Sequence, residues 1–176
     1  MQTSIFNPST DIVSTYLDTS NPLITISTSG AASNSGVWLM ILNSTSASTI
    51  PKPETRGSQS NISTSAAFKM LSNYFYGTSN YIIDANNGVT QNNTVKVIQF
   101  SRPNLGEGLY KNTITANINA NNSAITLTAI DAADNNSVGS AIGLTGKIVN
   151  INNVNEVWGS VFYDYGVIVF SHSQGV

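Results

Sequence analysis

Residues 159–170 read Gly159-Ser160-Val161-Phe162-Tyr163-Asp164-Tyr165-Gly166-Val167-Ile168-Val169-Phe170. Two runs of β-branched and aromatic residues flank a short Asp-Tyr-Gly step, the pattern of an antiparallel hairpin. The spacing predicts strands over Glu156–Tyr163 and Gly166–Ser171, with Gly166 supplying the positive φ that so short a loop needs. Phe162, Ile168 and Phe170 of this hairpin, with Trp158 just before it and Phe100 upstream, are the candidate core. Burying each such side chain contributes roughly 1.5 to 3 kcal/mol.

Working outward, the same alternation of apolar and polar residues recurs over Val95–Phe100, Thr113–Ile118, Ser123–Ile130 and Lys147–Ile151, separated by turn-forming clusters such as Asp134-Asn135-Asn136 and Asn152-Asn153. Pro22–Thr28 and Val37–Leu42 add two strands upstream. Short strands at this spacing predict an all-β, mostly antiparallel fold, a sandwich or a meander. The expected organisation is an irregular N-terminal arm over residues 1–21 followed by a single β-rich domain over 22–176. Ser44–Ser65, with Pro51, Pro53 and Gly57 in a Ser/Thr-rich stretch, reads as one long exposed loop. Ala66–Tyr76 has a helix-like set in Ala67, Met70, Leu71 and Tyr74, but its aromatic end, Tyr74-Phe75-Tyr76, favours a strand.

Hydrophobic residues make up 40% of the 176-residue chain, whereas charged residues make up only 9%, far below the usual ~25%. Asn, Ser and Thr, 65 residues together, carry the polarity instead. Such a surface is solvated by hydrogen bonds rather than charge, and it does little to oppose stacking against neighbours. Seven scattered basic residues and a net charge of −2 leave no footprint for nucleic acid. No stretch reaches the ~18 apolar residues that would suggest a membrane span. Met1–Thr10 lacks a basic segment followed by an apolar run, so a chain made without a signal peptide is expected.

The search for chemistry yields little. There is no cysteine, so a disulfide, a thiolate nucleophile and a thiolate metal site are all excluded. His172, the single histidine, stands near the end of the chain and reads as an exposed terminal side chain rather than a general base, which must be held rigidly. Ser and Thr are too abundant to signal a nucleophile, and no G-x-S-x-G elbow occurs. Carboxylates such as Asp84, Asp131, Glu156 and Asp164 are far apart in sequence, though folding can pair them as in glycosidases. Asp131–Asn136 offers oxygen ligands but lacks the alternating pattern and closing Glu of a calcium loop. Gly106-Glu107-Gly108 lacks the third glycine and following helix of a phosphate loop. Arg102 and Glu107 flank Pro103–Gly106 and are expected to pin that turn as an ion pair worth ~0 to 1 kcal/mol if exposed. No catalytic residue, metal site or cofactor is expected. Trp38, Trp158, Tyr163 and Tyr165 are the aromatics from which a sugar platform would be built.

Residues 95–112, with the strand Val95–Phe100 followed by Ser101-Arg102-Pro103-Asn104-Leu105-Gly106-Glu107-Gly108, resemble a segment of virion structural proteins from contractile-tailed phages of the marine and cyanobacterial type. The hairpin over 159–170 is similar to a G-x-[VI]-[FY]-[YP]-x-x-G-[VIT]-I-V step of the same family, and Tyr76-Gly77 to an aromatic strand ending in Tyr-Gly. The resemblance covers about the C-terminal two-thirds of the chain, without the segment that larger members carry between the Tyr-Gly and F-S-R strands. It implies a non-enzymatic virion component, of tail or baseplate type, made in the host cytoplasm and assembled with copies of itself or with other virion proteins. The alternatives are a head, neck or decoration protein, or a carbohydrate-binding receptor module, for which a glycan would be the ligand.

Overall fold

In the computed structural model the described residues are 15–21, 23–28, 37–51, 61–100, 108–109, 114–120, 123–131 and 145–173. In chain order they form β1 (Thr15–Asn21), β2 (Leu23–Thr28), β3 (Val37–Asn43), β4 (Thr49–Pro51), β5 (Asn61–Ser63), the helix α1 (Thr64–Leu71) continued by a π-helical turn (Ser72–Tyr76), β6 (Ile82–Ile83) and β7 (Gln91–Asn92). β8 (Thr94–Phe100), β9 (Thr115–Ala120), β10 (Ser123–Asp131), β11 (Thr145–Asn150), β12 (Asn153–Phe162) and β13 (Val167–Phe170) complete the set.

Nine of these strands form one sheet in the order β2-β1-β9-β10-β11-β12-β13-β8-β3. Its centre, β9 to β13, is an antiparallel meander. The architecture is thus all-β and predominantly antiparallel, with the β1–β9 pair parallel. The hairpin read from residues 159–170 is present, its register pairing Phe162 with Val167 and Gly159 with Phe170. A short 3-10 turn, Tyr163–Tyr165, links its strands and ends on Gly166 at φ 62°.

Alternation along each strand divides the apolar residues between two faces. Ile98, Leu127, Ala129, Ile148, Val161, Ile168 and Phe170 form one core, with Phe100 partly buried against it. Leu42, Val95, Val97, Phe162, Val167 and Val169 form the other, packed with Phe68 and Phe75 of the helical segment. Trp158 breaks the alternation. Ile148 pairs with Gly159 but Val149 with Val157, so Trp158 is an extra residue in β12, and this β-bulge turns its ring into the first core. Beside it, a Cβ on Gly159 would collide with the backbone oxygen of Val169, so β12 and β13 approach this closely only because that position is glycine.

Three expectations are corrected. Ala66–Tyr76 is helical rather than a strand: Ser63 caps α1, its Oγ accepting from the Ala66 N–H at 3.2 Å, and Gly77 closes the π turn at φ 65°. The aromatic triplet that suggested a strand instead seats this turn on the hairpin. Phe75 packs on Phe162 at 4.1 Å between ring centroids, and Tyr74 on Tyr165 at 5.5 Å. The long loop Ser44–Ser65 closes as a ribbon at its base, with Thr49, Ile50 and Pro51 of β4 opposite Ser63, Ile62 and Asn61 of β5; residues 52–60 lie outside the described residues. The last seven residues of the N-terminal arm, Thr15–Asn21, form a sheet strand, while residues 1–14 lie outside the described ones.

Candidate functional site

Among the described residues, two places gather enough polar or accessible apolar groups to act. The first lies where the end of β13 meets β12. Both Ser171 and His172 donate their backbone N–H to the Trp158 carbonyl, at 3.1 and 3.3 Å. This brings the imidazole flat against the indole, with centroids 4.4 Å apart and planes inclined by 19°. His172 is therefore 4% exposed, correcting its reading as an exposed terminal residue.

Around this stack, folding gathers two carboxylates from distant parts of the chain. Asp84, also buried, accepts from the N–H groups of Asn86 and Asn87 on Oδ1, at 2.7 and 3.1 Å, and from the Ser173 N–H on Oδ2 at 2.7 Å. Glu156 accepts from the Trp158 Nε1–H on Oε1 at 2.9 Å and from the Asn150 Nδ2–H on Oε2 at 3.0 Å. Asn86 accepts from the Val157 N–H, and Asn92 donates to the Ser171 carbonyl. Burial lowers the pKa of His172, partly offset by the charges of Asp84 and Glu156. For Asp84, burial alone would raise the pKa, but its hydrogen bonds to Asn86, Asn87 and Ser173 bring it below the ordinary value. All four carboxylate oxygens are engaged by protein donors, so the cluster fastens the loop over residues 84–90 and the C-terminal segment to β12. Among the described residues no group of three or more His, Asp or Glu is placed to hold a metal ion.

The second place is a groove of about 360 Å³ between α1, the β4–β5 ribbon and the face of β3 and β8. Met40, Leu42, Ile50 and Ile62 line it together with Met70 and Tyr74, the last two more than half exposed. Two of its lining residues, Met40 and Leu42, stand on β3, an outermost strand of the sheet. Val37-Trp38-Leu39-Met40-Ile41-Leu42 holds six consecutive apolar residues, and Ile41 is 51% exposed. Backbone polarity on this strand follows from alternation. The Phe100 N–H donates to the Gly166 carbonyl at 2.8 Å, so Phe100, Ile98 and Lys96 direct their backbone groups to β13, and Gln99, Val97 and Val95 direct theirs to β3. Trp38, Met40 and Leu42, aligned with those three, face back. Val37, Leu39, Ile41 and Asn43 turn their backbone groups outward, where among the described residues no strand pairs with them; the Asn43 carbonyl accepts from the Ser46 N–H at 3.4 Å.

Of the residues singled out in the sequence, Trp158, Phe162, Ile168 and Phe170 are buried and Phe100 is half-buried. Arg102 and Glu107 lie outside the described residues, as does the side chain of Trp38. Trp158 and Tyr163 are buried and offer no platform to a sugar. Lys96, isolated between Val95 and Val97, gave no sequence signal, yet it is fully buried and burial lowers its pKa to about 8. No helix of the described residues is long and apolar enough to cross a membrane. Comparison with protein-family models, with curated proteins and with solved structures finds no match.

Proposed function

We propose that this chain is a structural subunit of a phage particle, a tail or baseplate component that works by packing against neighbouring subunits rather than by chemistry. The observation that carries this reading is the apolar edge strand β3, whose outward amides and carbonyls stand beside an open groove. A freely diffusing monomer blunts such an edge with lysine, proline or a bulge, because an unpaired apolar strand accepts strands from other chains. β3 carries no charged residue and no proline. The low charge of the whole chain and its Asn, Ser and Thr content favour close stacking in the same way, and the resemblance of residues 95–112 and 159–170 to virion proteins of contractile-tailed phages points to the particle as the setting.

Immunogold labelling of particles purified from the source of this chain tests the proposal. Label on the tail or baseplate is the expected result. Label on the head or neck would move the subunit to a decoration role, and particles without label would overturn the virion assignment.

A further inference from the structure

The loop joining β6 to β7 contains Asn87-Gly88, the single Asn-Gly step in the chain. An asparagine followed by glycine is prone to react with itself. A five-membered ring spans the gap between the glycine nitrogen and the side-chain Cγ, and a residue without a Cβ does not obstruct the approach. Both residues are exposed, so water reaches them. We propose that Asn87-Gly88 is a self-modification site whose rate is set by the loop that carries it. The Gly88 nitrogen gives up its proton and bonds to Asn87 Cγ, the Cγ–Nδ2 bond breaks, and ammonia leaves. Water then opens the succinimide at one carbonyl or the other, giving aspartate or isoaspartate. One water is consumed and one ammonia released, with no oxidant or reductant in the balance.

The loop prepares the electrophile and withholds the nucleophile. Asn87 Oδ1 accepts from the Val89 and Thr90 N–H groups, both at 2.9 Å, and two donors on one carbonyl draw electron density from its carbon as an oxyanion site does. Gly88, however, donates its N–H to the Asp84 carbonyl at 2.9 Å, and Asn87 Nδ2 donates to Thr90 Oγ1 at 2.9 Å. Ring closure removes the first proton and expels the second donor, so neither bond survives it. Asp84 is anchored in turn: its carboxylate holds the N–H groups of Asn86, Asn87 and Ser173, and its own N–H donates to the Thr90 carbonyl at 2.7 Å. The reaction therefore waits on local opening of residues 84–90, and a closed loop favoured by ~1.4 kcal/mol slows it about tenfold.

The product undoes the lock. Conversion adds one carboxylate to a chain of net charge −2, three residues from Asp84. Isoaspartate also inserts an extra carbon into the main chain between Cα of residue 87 and the Gly88 nitrogen, which misaligns the Gly88–Asp84 bond. Asp84 then loses its hold on the Ser173 N–H, and the C-terminal segment is released from the loop.

Peptide mapping by mass spectrometry on the full chain, incubated at neutral pH with and without guanidinium chloride, tests this. In denaturant, conversion at Asn87 is expected to outpace that at every other asparagine; in the folded chain it is expected to be at least about tenfold slower. Asp84→Ala should restore most of the lost rate. Thr90→Val, at an exposed position, leaves the backbone bond between Asp84 and Thr90 in place and frees Nδ2, so it should quicken the native reaction whether or not Asp84→Ala folds. Hydrogen exchange reads the consequence, as the Ser173 amide should lose protection in the converted chain. Equal rates at Asn87 with and without denaturant, or no gain in Thr90→Val, overturn the lock. Another asparagine converting faster in denaturant overturns the site, and a Ser173 amide still protected after conversion overturns the release.

Discussion

Burial holds His172 uncharged at neutral pH, since the indole of Trp158 covers one ring face and solvent is excluded. Its pKa in the fold lies below the ordinary 6.5 despite Asp84 and Glu156 nearby. A lowered value means that its contribution to stability is complete above pH 6.5 and is lost as pH falls through the folded-state value. The urea midpoint is therefore expected to be level just above neutrality and to decline on acidification, and His172→Gln should flatten that first decline. Asp84 adds a second loss at lower pH, below 3.8, as its depressed carboxyl takes up a proton. Lys96 acts at the alkaline end: lowered from 10.5 to about 8, its charged form is disfavoured in the fold, so stability rises between those values as pH increases. An NMR titration of its ε-methylene signals should give a midpoint near 8, and a midpoint near 10.5 would refute the burial. Gly159→Ala forces β12 and β13 apart at the Val169 oxygen and should cost about 1 to 3 kcal/mol in urea unfolding. None of these residues announces itself in the sequence. Burial of His172 depends on the Trp158 bulge and on Asp84 far upstream, and one residue's local pattern contains neither.

Among elements, the meander was legible because β8 and β9 to β12 are long enough to show alternation, β13 is an unbroken apolar run, Val167–Phe170, and the turns carry Asn and Gly. β4 to β7 were not, since strands of two or three residues have no measurable period. β1 carries only Tyr16 and Leu17 as apolar residues and is placed by parallel pairing with β9, a contact between distant segments. α1 had readable signals, Ser63 at its cap and Gly77 at its end, but Tyr74-Phe75-Tyr76 outweighed them; those rings serve tertiary packing on Phe162 and Tyr165 rather than strand propensity. Ser63→Ala should lower stability by about 1 kcal/mol through loss of the cap. Phe75→Ala should lower it by about 3 to 5 kcal/mol and loosen α1 from the hairpin, which proteolysis within residues 64–76 would report.

At the scale of the whole molecule, the proposed assembly through a charge-free strand gains little from Coulomb attraction, so the mass of a complex formed through β3 should be nearly unchanged between about 50 mM and 500 mM salt, a range over which screening lengths contract severalfold. A mass that collapses with added salt would point to ion pairs elsewhere on the surface. The strand order carries a further geometric demand. β2 and β3 stand at opposite ends of a nine-stranded sheet, yet Thr28 and Val37 are consecutive strand termini nine peptide steps apart. Strands spaced by about 4.8 Å would set the ends of a flat sheet about 38 Å apart, whereas nine steps of fully stretched chain span at most about 32 Å. The tether is too short for a flat sheet, so the sheet must bend round like an incompletely closed cylinder, carrying its first and last strands toward each other.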